Sequence, residues 1–397
     1  MKKTSRRFLW RVGNLPFIFR PLSKPYNGGG LPDWLPFSLK VDPANMTLRQ
    51  VPSLQVSSAL KKAYSRGSAI TGTLSDDNNI GQRYTDDFIG FMQSSIKNES
   101  FLGKRILDIG CGTGYLLYRL KLLGAEVLGI EPGRLGLDKA DVYRVPIIRT
   151  YFPSNKINKG KFDIIIIYSV LEHIEDSLNW LKSVRDILHQ EGDLFVSVPD
   201  CAPYLESGDV SILFHEHWSY FTHKSPKRIL SRVFGPCVRI QRAGFGGSLY
   251  SRVRHSNEKR RPIKAHLYAE EDQLIEQARK FKQLALKNNE KLERFMRQLF
   301  VTGKTLGIYV PYRAINALTM KRIPLDHCRF FNDNPLLHGT YLPGENIPIE
   351  KRDDLIKKPT QAVLIATRSF GEQIANHLRQ QLPTRPLIKT WSEISKQ

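Results

Sequence analysis

The segment Arg105-Ile-Leu-Asp-Ile-Gly-Cys-Gly-Thr-Gly-Tyr115 constrains this chain more than any other. Ile106, Leu107 and Ile109 form a short apolar run of the kind that fills a strand buried on both faces. Gly110, Gly112 and Gly114 follow, and Tyr115 to Leu123 has the pattern of a helix. Glycines at a strand-to-helix turn let the backbone approach a ligand where a Cβ would collide. Val127 to Ile130 is a second short strand that ends at Glu131. An acid about 20 residues after the glycine turn is placed to accept two hydrogen bonds from a ribose diol.

The glycine spacing sorts the ligand. A dinucleotide fingerprint would put its third glycine where Tyr115 stands. Here the pattern is D-x-G-x-G-x-G, opened by Asp108, and no Lys-Ser or Lys-Thr follows as in a triphosphate loop. A ligand with a ribose and no pyrophosphate fits this spacing. The run resembles the first motif of class I S-adenosylmethionine-dependent methyltransferases, and Glu131 resembles their acidic second motif. The resemblance implies S-adenosylmethionine as cofactor, held by Asp108, Gly110, Gly112, Gly114 and Glu131.

At 397 residues there is room for two or three domains. The cysteines (111, 201, 237, 328) lie far apart with no C-x-x-C pair, which argues against a disulfide framework and a structural zinc site and for a reducing, cytoplasmic location. No apolar run approaches membrane-spanning length. Met1 to Trp10 starts like a signal sequence, but Arg11 and Asn14 interrupt what should be its apolar core, so no export signal is expected. The formal charge is +22 and uneven: no acid precedes Asp33, and Lys224 to Lys264 is basic with Glu258 as its one acid. Such a field favours a polyanion, whether nucleic acid, a nucleotide-linked metabolite or an anionic surface.

Residues 1–60, rich in Pro and Gly, read as a basic, loop-rich arm with little core of its own. Residues 61–255 alternate strands with helices: Ile106–Ile109, Val127–Ile130, Pro146–Ile148, Phe162–Tyr168 and Asp193–Val198, the last preceded by a helix over Asp176–His189 and a turn at Gln190–Gly192. Val238–Arg242 and Ser248–Arg254 read as an antiparallel pair across Gly244–Gly247. This pattern predicts an α/β fold, a doubly wound Rossmann-like sheet. Residues 256–300 form a helical connector, with Leu274, Ala278, Phe281, Ala285, Leu292, Phe295, Met296 and Leu299 at helical spacing as a docking stripe. Residues 301–397 restart the α/β pattern as a second, smaller Rossmann-like domain.

Candidate chemistry follows the later strands. Phe162 to Tyr168 runs into Ser-Val-Leu-Glu-His-Ile174, at the carboxyl end where ligands of such sheets bind, so Ser169 to His173, with Ser169 and Leu171 foremost, are expected at the cofactor. Leu-Glu-His-Ile resembles the fourth motif of small-molecule methyltransferases. The Asn/Asp-Pro-Pro-aromatic motif of nucleic-acid N-methylating enzymes is absent. Phe214-His-Glu-His-Trp-Ser-Tyr-Phe221 is the densest acid–base cluster. Imidazole suits proton transfer near neutral pH, and a neighbouring carboxylate fixes its tautomer. A zinc-peptidase H-E-x-x-H fails because Ser219 replaces the second His. A three-His site of His215, His217 and His223 is the metal alternative, and no metal is expected. Cys201 could in principle serve as a methyl-transfer nucleophile, but residue type alone does not support it.

Two further stretches, Gly246-Gly-Ser-Leu249 and Phe331-Asn-Asp-Asn-Pro-Leu-Leu-His-Gly-Thr-Tyr-Leu-Pro-Gly-Glu-Asn-Ile-Pro-Ile349, together with His215–Phe221, resemble the sugar C-methyltransferase family. The resemblance spans about residues 60–390. It implies a nucleotide-linked keto-deoxysugar as acceptor and His217 as the base, with Glu216 or His215 orienting it. It also implies acceptor contacts from Gly247, Ser248, Arg313 and Asn334. Paired cysteines of the family's N-terminal zinc module are missing. Phe214 replaces a Tyr, so enolate stabilisation would fall to Tyr220 or a backbone N–H. Tyr250 replaces an Arg. Two alternatives stay open: O- or N-methylation of another anionic acceptor, and a basic RNA-binding methyltransferase-like protein.

Overall fold

The structure is a computed structural model, and it describes residues 8–17, 30–65, 78–96, 100–133, 141–157, 162–236, 238–255, 267–367 and 370–396. Asn27–Gly29, Cys237 and Glu258–Lys264 lie outside the described residues.

A seven-stranded sheet dominates. It contains β4 (Arg105–Ile109), β5 (Glu126–Ile130), β6 (Ile147–Ile148), β7 (Phe162–Tyr168), β8 (Leu188–Pro199), β10 (Val238–Arg242) and β11 (Ser248–Arg254), in the order β10-β11-β8-β7-β4-β5-β6. The strands from β8 to β6 are parallel, while β10 and β11 are antiparallel additions at one edge. Strand β7 shows why an unbroken isoleucine run suits the centre. Ile164 and Ile166 pack with Phe88, Phe91 and Met92 on one face. Ile165 and Ile167 pack with Leu181, Val184 and Ile229 on the other. Each fully buried isoleucine contributes roughly 1.5–3 kcal/mol. The helix Ser177–Ile187 is capped by Asp176, whose carboxylate accepts from Asn179 N at 3.2 Å. The turn expected at Gln190–Gly192 is a bulge within β8, with Glu191 at φ 65° and a register shift against β7.

From β4 the chain winds outward through β5 and β6, then returns to the other side of β4 as β7. The carboxyl ends of β4 and β7 therefore flank the switch point, where ligands bind in such sheets. The C-terminal unit repeats this design. Its five parallel strands run β14-β13-β12-β15-β16, with β12 (Leu306–Tyr309), β13 (Cys328–Phe331), β14 (Ile349–Glu350), β15 (Ala362–Ile365) and β16 (Leu387–Thr390). One helix, Leu267–Val301, leads into it.

The described part of the N-terminal region is not loop-rich. Strands β1 (Leu9–Pro16), β2 (Trp34–Asp42), β3 (Thr47–Gln50) and β9 (Ser219–Tyr220) form a four-stranded antiparallel sheet. Trp10, Leu15, Phe37, Leu39 and Leu48 are buried in one cluster with Ile275 and Phe281 of the long helix and with Ile315 and Leu318. Prolines and glycines disguised these strands. Gly13 sits where the β1–β2 register shifts, and Pro36 lies beyond the part of β2 that pairs with β3, positions where a sheet tolerates both.

Candidate active site

The glycine turn after β4 is held from two sides. Gly110, Gly112 and Gly114 all have left-handed φ, 81°, 55° and 78°, which strains any other residue. A Cβ on Gly110 would collide with Val170, just beyond β7. Glu131 accepts from Gly112 N at 3.0 Å and from Gly133 N at 2.7 Å. Burial raises its pKa and those two amides oppose the rise. Asp108 is buried, and desolvation with the nearby Glu131 pushes it up to about 8. Its Oδ1 has no partner among the described residues, nor does Ser169 Oγ. Ser169 has a φ of 55° at the end of β7, strain of the kind that collects at ligand sites. Orphaned acceptors beside a carboxylate and a Cβ-free turn fit the ribose and cationic end of S-adenosylmethionine. Leu171 departs from expectation: its side chain is fully buried in the apolar core with Leu181 and Val184, so only its backbone is left to face the crevice.

The acid–base cluster assembles from three segments. The 3₁₀ turn Leu171–His173 after β7 supplies Glu172 and His173, and the segment before β9 supplies Glu216 and His217. The helix Leu54–Ser65 adds Tyr64, whose hydroxyl donates to Glu216 Oε2 at 3.3 Å. Ligand-type atoms of Glu172, His173 and His217 lie within 4.8 Å of one another. The His173 and His217 rings meet edge to face at 5.0 Å. Burial, the His173 ring and the Arg313 charge hold His217 well below the usual imidazole pKa. Burial lowers His173 to about 4 and raises Glu172 to about 8 and Glu216 to about 7. Both imidazoles are thus neutral at neutral pH, and each keeps an open edge because it is only half-buried. Tyr64 is raised well above its usual value by burial and by Glu216.

Other members of the run have different partners. The His215 ring faces the N-terminal sheet, with Nε2 at 3.2 Å from Leu35 O and with Phe17 and Phe37 edge-on at 5.7 and 5.2 Å. Tyr220 is fully buried and its hydroxyl donates to Phe214 O at 3.3 Å, so its proton is committed to the backbone and not to an enolate. His223 precedes the helix Lys224–Phe234. The three-His alternative does not assemble among the described residues, where the one candidate metal-ligand group is Glu172, His173 and His217. Cys201 is buried and its thiol is pushed up by burial and by Glu172, which leaves it unreactive.

Arg313 arrives from the C-terminal unit, on the 3₁₀ turn Pro311–Arg313 after β12, where Val310 takes a φ of 60°. Its guanidinium carbon lies 5.6 Å from the Phe214 ring centre and 5.8 Å from that of Tyr312. Among the described residues it forms no ion pair. Its charge reaches both His217 and Tyr84. The Gly244–Gly247 loop sits against the helix Asn79–Ile96. Gly244 N donates to Asp87 Oδ2 at 3.0 Å, and Phe245 packs on Tyr84 at 4.8 Å with Arg83 over its ring at 4.0 Å. Gly247 is exposed, and its carbonyl accepts from Asp200 N; Ser248 is buried at the start of β11. Asn334 stands apart. Its Oδ1 caps the turn Pro335–Leu337 by accepting from Leu336 N at 3.0 Å, and among the described residues no hydrogen bond or ion pair joins it to Arg313, His173 or His217. Tyr64 and Tyr84 were missed because each lies in an ordinary helix, with no local signal that its ring ends at the site.

Two family models match the chain: "Methyltransferase domain" over residues 83–233 and "C-methyltransferase C-terminal domain" over residues 244–384. The C-methyltransferase NovU of Streptomyces niveus is 26% identical over 261 residues, 62% of this chain and 62% of NovU. The ubiquinone biosynthesis O-methyltransferase of Bradyrhizobium diazoefficiens is 34% identical over 105 residues, 24% of this chain and 40% of that one. The chain thus spans less than two thirds of the length of these relatives. The plantazolicin methyltransferase BpumL, solved with SAH, covers 44% of this chain and 84% of its own at 17% identity and a TM-score of 0.36. Among the described residues no helix is long and apolar enough to cross a membrane. Both family models fall in order along one chain, which thus carries a methyltransferase domain followed by a C-methyltransferase C-terminal domain, similar to NovU.

Proposed function

We propose that this protein methylates a carbon of an anionic small-molecule acceptor, a nucleotide-linked keto-sugar, with His217 as general base, and that it does so in the cytoplasm. The observation that carries the reading is the half-buried His217 ring, 5.0 Å from that of His173 just beyond β7, with Arg313, which has no ion pair among the described residues, over the neighbouring Phe214. Carbon methylation next to a ketone needs loss of the α-proton, and a neutral imidazole takes it. Burial, with His173 and Arg313 adding to it, holds His217 unprotonated before the acceptor arrives. Glu216, raised to about 7 by burial, is the proposed donor to the enolate oxygen, held in place by the Tyr64 hydroxyl that donates to its Oε2. Arg313 offers its charge to the acceptor's phosphates, and Gly247 and Ser248 close the loop beside Tyr84. S-adenosylmethionine, when bound, supplies the electrophilic methyl group. Asp108, Gly110, Gly112, Gly114, Glu131 and Ser169 hold and orient it, so catalysis is largely the positioning of two ligands.

O-methylation is the second reading, since the O-methyltransferase relatives match part of the methyltransferase domain. Incubation of purified protein with labelled cofactor and a panel of nucleotide-sugars, followed by mass spectrometry, tests both. A labelled methyl on carbon, with loss of an α-deuterium from deuterated acceptor, supports the first. Label on oxygen with the α-deuterium retained supports the second. Label on RNA with none on any nucleotide-sugar would overturn both.

A further inference from the structure

The segment that carries His217 does not rest on the methyltransferase sheet alone. Upstream, residues 207–213 lie against the connector helix and the first helix of the C-terminal unit, Ile315–Lys321. Asn288 of the connector donates to Ser207 O at 2.6 Å. Gly208 lies so close to that helix that a Cβ would fall 2.6 Å from Ala285 N. Asn316 is 1% exposed, and its amide donates to Val210 O at 3.0 Å and to Leu213 O at 2.9 Å. These carbonyls bracket the 3₁₀ turn Val210–Ile212, whose C-cap is Leu213, the residue before Phe214. Phe214 O in turn accepts from His217 N at 3.0 Å and from the Tyr220 hydroxyl at 3.3 Å. Three residues before Asn316, Arg313 lies over the Phe214 ring. One short stretch of the C-terminal unit, 313–316, therefore grips the segment that presents the base and sets a cation against it.

We propose that Asn316 is a positioning residue: through Val210 O and Leu213 O it fixes the placement of His217 relative to Arg313 and His173, so that the C-terminal unit completes the acid–base site. The physical case rests on satisfaction. Val210 O also accepts from Leu213 N at 3.1 Å, so removing the Asn316 amide leaves Leu213 O as the buried carbonyl without a donor and loosens the turn before it, which is costly enough to make the segment move toward water or a new donor. Such a shift is felt at the base, because a displacement of about 1 Å caused by a remote substitution can cost about 100-fold in rate.

The inference rests on the reading of His217 as the base, and the test separates the two. Full-length protein labelled with ¹³C-histidine is titrated by NMR with SAH bound, as wild type, Asn316→Leu and Asn316→Ser. Leu keeps the volume and removes both donors; Ser restores one. Asn316→Leu should move the His217 ring signals and raise its titration midpoint by about half a pH unit or more, because a like charge nearby shifts such a group by about a unit. Ser should fall between Leu and wild type, and SAH affinity should stay within about twofold. A purely structural asparagine would lower the melting temperature and leave the His217 titration where it was. An unmoved His217 in either folded variant overturns the proposal. So does failure of both variants to fold, which would assign Asn316 to stability alone. His217→Ala reports on the other reading: full turnover in that variant would end the base assignment while leaving the Asn316 result intact.

Discussion

Replacing Glu131 by alanine probes the cofactor assignment where the structure gives a magnitude. In the unbound protein the carboxylate already accepts two backbone N–H groups, from Gly112 at 3.0 Å and Gly133 at 2.7 Å. It is partly exposed, so oxygen capacity remains for a ribose diol. Glu131→Ala removes a charged acceptor from the ligand and from the loop that shapes the ligand's seat. Hydrogen bonds to a charged group are worth about 1.5–3 kcal/mol, which corresponds to a roughly 10- to 150-fold weaker Kd. Glu131→Gln keeps one accepting oxygen and should lose less. Calorimetric titration with SAH reads both variants, with circular dichroism as the check on folding. A folded Glu131→Ala protein that binds SAH within about twofold of wild type would refute the reasoning, because the acid would then serve only to tie the glycine turn.

Removing a general base costs about 10²- to 10⁴-fold in rate, so His217→Ala should turn over slowly with SAH affinity intact. Its partner signature is the pH profile: wild-type kcat/KM should hold as pH falls past the ordinary imidazole pKa, since burial, His173 and Arg313 keep His217 well below it. Asp108 and Glu172 are both raised to about 8 by burial. A raised folded pKa gives stability that is complete below the unfolded carboxylate pKa and is lost as pH rises through about 8. Unliganded protein should therefore melt at a lower temperature at pH 8.5 than at pH 6.5, and Glu172→Gln should shrink the difference; an unchanged difference would count against it. Elemental analysis should find no stoichiometric zinc, because the chain has no C-x-x-C pair and the three-His set does not assemble among the described residues. One tightly bound zinc per chain would reverse that expectation.

What the chain revealed in advance, and what it hid, follow from range. The hairpin Val238–Arg242 and Ser248–Arg254 and the strand Phe162–Tyr168 fall where the apolar pattern and turn glycines put them, because those signals are local. The place of Glu131 against the glycine turn was legible too, since strand, turn, helix and acid sit within one βαβ unit. His215 was not. Three titratable residues in a row invite one role, yet the chain turns here, with His217 N donating to Phe214 O at 3.0 Å, and the turn sends the two imidazoles to different neighbours. His215 therefore turns to Leu35 and Phe37, and His217 turns to His173. That outcome depends on a sheet whose strands were masked by Pro16, Pro36 and Gly13. Asn334 was read as an acceptor contact from the surrounding family-like stretch, but an Asn before Pro-Leu-Leu has a nearer use as a turn cap.

The charge state of the cluster makes sense only with all its contributors present. Tyr64 comes from the N-terminal region, Glu172 and His173 from the end of β7, Glu216 and His217 from the segment before β9, and Arg313 from the C-terminal unit. Each closes off water from the others, and the resulting desolvation is the largest cause of every shift among Tyr64, Glu172, His173, Glu216 and His217. The acids rise, the imidazoles fall, and at neutral pH the site holds proton donors beside empty bases with little net charge apart from Arg313. Under the proposed reading, a base in that state takes a proton from carbon without a carboxylate already bound to it, and neighbouring acids would offer hydrogen bonds to the oxygen that becomes charged. Burial and His173 depress His217 first, and Arg313 adds to them. Under the proposed reading, an acceptor that brings phosphates to Arg313 would offset that last contribution and raise the basicity of His217 as the α-proton comes into reach, tying recognition of the acceptor's charge to the chemistry at its carbon.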